Sequence, residues 1–284
     1  MKQVAILKSK KVKLSIRILF LFALFVGAFA CTNDADSPFN GQLINNELIK
    51  SVTFNGIITQ KYLYDNYGRI KEDQGKYFYH RYLYDGNGRL VKIETAVDTY
   101  GLTSSTIQPP KTELMTSANS TINSYRLFYY DNDGNLLKIE NYFIKTGENF
   151  ELTSINSFEY EGALICKTNL CNEKGQIAHY YEYSYDINGN IAKEKYYSCM
   201  FTGVDNPELI NETTYKYDDY KNPYQILNIS EPKFYTSPNN MIVMTTKWYT
   251  NDLRTETSWQ TFIYNDKGYP VRMIYDGGEE EYTY

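Results

Sequence analysis

Histidine is nearly missing from this chain, with two residues, His80 and His179, in 284. Zinc centres draw on histidine and on closely spaced cysteines, and no Cys-x-x-Cys unit occurs, so no metal or other cofactor is expected. The same scarcity confines any His-based nucleophilic site to those two positions. They lie in "KYFYHRYLY" and "QIAHYYEY", both of which read as strands, and no Gly-x-Ser-x-Gly elbow accompanies them. A hairpin that sets Cys171 opposite His179 is the one candidate. Both histidines are read instead as ordinary strand residues.

Cysteine is scarce too: Cys31, Cys166, Cys171 and Cys199. The last three are an odd number, so at least one thiol stays free even in an oxidising compartment. Cys166 and Cys171 would point to opposite faces of a single strand, and only an intervening turn would let them pair. Helical periodicity is absent: no window after residue 40 sets apolar residues three and four apart over three turns. Nor does any apolar run beyond residue 30 reach the length of a membrane-spanning helix.

What the chain does have begins with targeting. Lys2, Lys8, Lys10, Lys11, Lys13 and Arg17 form a basic stretch without an acid, followed by an uninterrupted apolar run from Ile18 to Ala30. That order reads as a cleaved secretory signal over residues 1–30. "GAFAC" resembles the lipobox of bacterial lipoproteins, which implies that Cys31 receives a diacylglyceryl group and becomes the mature N-terminus. Residues 31–45 are then a polar leader, and the membrane is a partner only through that lipid. Six of the 29 basic residues and none of the 34 acidic ones fall in residues 1–30, leaving 23 against 34. A mature chain so acidic repels nucleic acid, which is set aside as a partner.

Residues 46–284 repeat themselves. "KYLYDNYGRI" starts at Lys61 and "RYLYDGNGRL" at Arg81. "FYYDNDGNLL" (from Phe128), "YSYDINGNIA" (from Tyr183) and "FIYNDKGYPV" (from Phe262) follow the same plan. The shared pattern is aromatic, any, Tyr, Asp, two variable, Gly, polar, aliphatic. Two aromatic residues two apart share one face of a strand. Asp65, Asp85, Asp131 and Asp186 then stand where a carboxylate accepts backbone N–H groups and starts a turn. Gly68, Gly88, Gly134, Gly189 and Gly268 fall where the chain re-enters a strand with positive φ. Each copy therefore predicts a hairpin corner.

Further turn signals alternate with these corners: Asn55-Gly56, Gln74-Gly75, Thr146-Gly147 and Asp276-Gly277-Gly278. Short strands with turns every eight to twelve residues mark an antiparallel all-β meander. Alternation assigns the faces: Leu90, Lys92 and Glu94 to one side and Val91 and Ile93 to the other, with Leu136, Lys138 and Glu140 set likewise against Leu137 and Ile139. Twist curls so many strands into one trough- or barrel-like sheet along which the 30 tyrosines form packing ladders. Residues 99–124, polar and interrupted by Pro109-Pro110, read as a long loop. Residues 201–212 and 221–240 read as similar, less regular stretches, parts of which pack down.

With Tyr64-Asp65, Gly68-Arg69, Tyr84-Asp85 and Gly88-Arg89 in view, the chain resembles the YD-repeat family, which includes the RHS and teneurin shells. That resemblance implies curved or spiral antiparallel sheets and supplies no catalytic residue. The late "YDDYKNP" segment (Tyr217–Pro223), the closing "YNDKGYP" hairpin (Tyr264–Pro270) and Asp34 and Asp36 after Cys31 also resemble cell-surface lipoproteins of unknown function common in Bacteroidota, implying an outer-membrane, surface-exposed location.

No residue set announces an activity. Asp131-Asn132-Asp133-Gly134-Asn135 resembles a calcium loop, but its Gly is fourth where an EF-hand requires the sixth position, and it reads as a corner. The acidic residues single out no pair for glycoside chemistry. The expectation is a non-enzymatic binding or structural module, with a glycan, a peptide or a partner protein as ligand. The alternatives are a glycan-active enzyme using two carboxylates inside the trough, and a purely structural surface protein.

Overall fold

The computed structural model describes residues 48–98, 112–144, 149–200, 202–227, 231–233, 236–250 and 253–284. The signal segment, Cys31 and the Thr146-Gly147 turn lie outside them. The strands are β1 (Ser51–Phe54), β2 (Ile57–Tyr64), β3 (Ile70–Gly75), β4 (Phe78–Tyr84), β5 (Leu90–Val97), β6 (Ser124–Tyr130), β7 (Leu136–Ile144) and β8 (Phe150–Glu161). They continue as β9 (Leu164–Asn172), β10 (Ile177–Tyr185), β11 (Ile191–Ser198), β12 (Glu208–Lys221), β13 (Asn239–Trp248), β14 (Thr255–Tyr264), β15 (Pro270–Tyr275) and β16 (Gly278–Thr283). Each pairs antiparallel with its neighbour in sequence, and β16 pairs with β1, closing a 16-strand barrel. Of the trough and the barrel, the chain forms the barrel. A 3-10 turn, Pro223–Leu227, breaks the run between β12 and β13.

The corners follow from five consecutive residues. In the first, the Asp65 carboxylate Oδ1 accepts the Tyr67 and Arg69 backbone N–H groups at 2.9 and 3.0 Å, and the Gly68 N–H reaches the Asp65 carbonyl at 3.0 Å. Gly68 has φ 74°, a left-handed conformation that costs a side-chain-bearing residue about 1–2 kcal/mol. Asp85, Asp131 and Asp186 make the same pair of bonds before Gly88, Gly134 and Gly189, and Asn265 does so before Gly268. Asp131 is thereby committed to its own loop: Oδ1 takes two N–H groups and Oδ2 the Asn135 amide. The Gln74-Gly75 signal is displaced. Gly75 ends β3 and the reversal falls on residues 76–77, while the Phe78 ring lies where a Cβ on Gly75 would stand, 2.5 Å away.

Each corner also shifts register, which corrects the assignment of faces. Tyr84 pairs with Leu90 but Leu83 with Lys92, so Val91 is an extra residue. This bulge turns Leu90 inward, beside Ile93. Likewise Leu136 and Ile139 are buried together while Leu137 is 48% exposed. Strict alternation fails by one residue at the start of each return strand.

Inside, the repeat builds a belt of cross-strand pairs. Tyr62 lies opposite Asp73, Tyr82 opposite Ile93, Phe128 opposite Ile139, Phe158 opposite Thr168 and Tyr183 opposite Glu194. Tyr215 opposite Met244, Phe262 opposite Met273 and Tyr282 opposite Val52 complete the ring. Most of these residues belong to, or pack against, one hydrophobic cluster in the lumen. The second tyrosine of most motifs binds backbone; Tyr264 instead donates to the Asp218 carboxylate. The hydroxyls of Tyr64, Tyr84, Tyr130, Tyr160, Tyr185, Tyr217 and Tyr284 donate to the carbonyls of Ile49, Ile70, Leu90, Leu136, Ile165, Ile191 and Pro270 respectively, at 2.7–3.0 Å. Apart from the Tyr64 bond, whose acceptor precedes β1, each latch ties one hairpin to the strand leaving the previous corner.

Candidate functional site

A 16-strand barrel is wide enough to enclose a water-filled channel, yet here large side chains and the chain's own β12–β13 connection occupy the lumen. After Tyr217-Asp218 the repeat loses its glycine, and the chain runs on into the 3-10 turn instead of reversing. Leu227 joins the core, and the Tyr224 ring packs edge-on against Tyr62 and Tyr282, with centroids 6.4 and 6.1 Å apart. Farther along, the Glu231 carboxylate accepts from Arg126 at 2.5 Å and from the Asn156 amide at 3.1 Å. The Asn222 amide donates to the Ser237 carbonyl at 2.8 Å, and Ser237 Oγ accepts the Ile191 N–H at 3.2 Å. The connection is thus held to β6, β8 and β11 by polar bonds and to the core by Tyr224 and Leu227.

Among the described residues, two clefts lie beside it. One, of about 400 Å³, lies between the connection and the corners carrying Gly134 and Gly189. The other, of about 410 Å³, runs from Asn222 and Tyr224 along the inner faces of β13–β16 to an exposed rim at Ser258 and Asp276. This second cleft is the candidate site. Its walls are Met244, Phe262, Met273, Tyr275 and Tyr282, and Glu280 stands among them on β16, opposite Met273. Burial pushes the Glu280 carboxyl up, and the Tyr282 hydroxyl, donating at 3.2 Å, offsets part of the shift. The Tyr282 hydroxyl is itself driven far above the ordinary phenol value by burial, with Tyr224 and Glu280 adding to the effect.

Two other buried acids stand in the belt. Burial raises Asp73 to about 7, partly opposed by the Gln60 amide that donates to it at 2.8 Å. Burial likewise raises Glu194, opposed by Lys233. They occupy the position held by Ile93 and Ile139 in other repeats, eight strands apart in the ring, on opposite walls. His80 lies within β4 and bonds Thr95 at 2.8 Å, and burial, aided by the Arg126 charge, lowers it to about 4. His179 faces Leu170 across the hairpin while Cys171 faces Ile177, so register separates that pair. Cys166, Cys171 and Cys199 are all free thiols.

The corner residues Asp65, Gly68, Asp85, Gly88 and Asp131 shape the barrel's turns and do not line the candidate cleft. Glu280 and Tyr224 were not singled out by sequence. A signal for Glu280 was present: it sits two residues before Tyr282 in "GGEEEYTY", and so on the aromatic face.

The outer surface carries charged pairs interspersed with exposed apolar side chains such as Leu63, Leu137, Ile263 and Ile274. Next to the inward pair Tyr82–Ile93, Arg81 meets Glu94; Lys138 meets Glu140; Lys193 meets Glu212; and Arg272 lies within 4 Å of both Glu279 and Glu281. A lipid-facing barrel surface is instead an apolar band, where a Lys or Arg at mid-bilayer costs about 2–4 kcal/mol.

No family model matches the chain, and no curated protein matches it. Solved structures do. A porin-like protein from Bacteroides vulgatus aligns with a TM-score of 0.50 and 13% identity over 84% of this chain and 99% of that one. This likeness is one of fold. A porin-like protein from Bacteroides uniformis gives a TM-score of 0.35 at 13% identity, over 79% and 94%. The TcdB2-TccC3-Cdc42 structure gives 0.25 at 11%, over 78% of this chain and 13% of that one.

Proposed function

We propose that this protein is a lipid-anchored, non-enzymatic binding module of the cell surface, standing in water beside the outer membrane rather than within it. The observation that carries the reading is the aromatic cleft of about 410 Å³, left inside a closed barrel whose own β12–β13 connection fills the space beside it. Ligand sites are typically enclosed apolar cavities of this size with a few polar groups. The charged pairs distributed over the outer face support a barrel outside the bilayer, and the basic-apolar-Cys31 leader supports attachment through a lipid. A cleft this small suits a compact ligand, or one sugar unit or side chain of a longer glycan, peptide or protein.

Thermal-shift screening of the full chain against glycans, peptides and small molecules tests the reading. A true ligand raises Tm, and Met244→Trp, which fills the cleft, abolishes the rise. A rise that survives Met244→Trp moves the site elsewhere, and release of a cleaved product replaces the reading with a carboxylate enzyme. Cys31→Ala should abolish fatty-acid labelling and release the protein from membranes; unchanged labelling ends the anchoring claim.

A further inference from the structure

We propose that the cleft between the 3-10 turn and β13–β16 takes a small organic cation, a substituted ammonium group on an apolar body. The inference rests on the binding-module reading and names the ligand class. Five aromatic side chains line the cavity: Tyr224, Trp259, Phe262, Tyr275 and Tyr282. Aromatic faces carry negative quadrupole potential and attract cations, most strongly when water is excluded. Glu280 and Asp276 are the charged side chains among the described lining residues, which include no Lys, Arg or His. The cavity therefore presents one sign of charge on an apolar wall.

Three amide side chains of the wall point the same way, because they are already engaged. Asn222 donates to the Ser237 carbonyl and accepts the Tyr224 N–H at 3.0 Å. Asn240 directs its amide to Asp218 and to the Lys221 carbonyl. The Gln260 amide donates to the Met241 carbonyl. A polyhydroxylated ligand needs directional partners, and each polar group left unpaired on burial weakens binding. A substituted ammonium group needs no such directional pairing: rings and one carboxylate suffice. Burial of Glu280 adds to the preference, since an incoming cation replaces the water its carboxylate has lost.

Isothermal titration of the full chain at pH 8 with three probes of similar size tests the inference: benzyltrimethylammonium, neutral benzyl alcohol and anionic phenylacetate. The cation should bind saturably, one per chain, at least tenfold more tightly than the alcohol, and phenylacetate should not bind. Glu280→Gln should weaken the cation tenfold or more and leave the alcohol within twofold. The charge comparison is made on the unmodified protein, so it stands even if the variant folds poorly. Equal affinity for cation and alcohol, with Glu280→Gln indifferent, would overturn the cation assignment and keep the cleft as a binding site. Preference for phenylacetate would also overturn it. Failure of every probe would remove the inference and the cleft reading together.

Discussion

The Tyr84 hydroxyl donates a 2.8 Å hydrogen bond to the carbonyl oxygen of Ile70, the first residue of β3. Both residues pack with the core, and the same bond recurs around the ring. Tyr84→Phe removes the donor and leaves that carbonyl without it, a loss of about 1 kcal/mol. Urea unfolding should show a lower midpoint with an unchanged slope. Tyr129→Phe serves as the control. Its hydroxyl faces outward to Glu140 at 2.7 Å, and its loss should cost only a few tenths of that.

Gly134 has φ 88° and open space around the position of an added Cβ. Gly134→Ala should therefore cost about 1–2 kcal/mol from backbone strain alone. Gly86 has equally open surroundings and no such φ, so Gly86→Ala should change stability by less than about 0.5 kcal/mol. Equal effects at the two sites would contradict the assignment of the corner conformation.

Asp73 is buried where other repeats place isoleucine, and its pKa is raised to about 7. The unfolded chain titrates this carboxyl near 3.9, so between those values the folded state holds the extra proton. Stability due to this group is thus present below about pH 4 and lost as pH rises through about 7. Asp73→Asn keeps an acceptor for Gln60 and removes the charge. It should raise Tm at pH 8 by several degrees, a gain of a few kcal/mol at most, and change Tm little at pH 4. A gain that is the same at both pH values would contradict the shift.

Arg126 ties the β12–β13 connection to the wall through Glu231 and helps hold His80 down at about 4. Arg126→Gln should speed amide exchange in Pro223–Leu227 while leaving the strands protected, and NMR titration should find the His80 pKa higher. Burial is the larger cause of that shift, so the rise should be partial.

The corners were legible in sequence because everything that makes them lies within five residues: an Asp side chain, two backbone N–H groups and a glycine. Aromatic residues two apart before each corner, as Tyr62 and Tyr64, marked one face of a sheet in the same way. The bulges were not legible, since Leu90-Val91 and Leu136-Leu137 look like plain alternation until the partner strand fixes which residue is extra. Nor was the cleft. It exists because the repeat after Tyr217-Asp218 fails and the freed segment enters the lumen, where Tyr224 meets Tyr62 and Tyr282.

Local turn chemistry and the period of two were sufficient to determine an antiparallel meander of aromatic hairpins, with any corner readable without its neighbours. Closure was decided only in three dimensions. Ser51 Oγ meets Thr283 Oγ1 at 2.8 Å across 232 residues of chain, and no local pattern encodes such a contact. It forms because the accumulated twist and bulges of the intervening strands bring the first edge back to the last, where unpaired N–H and C=O groups of both are satisfied together.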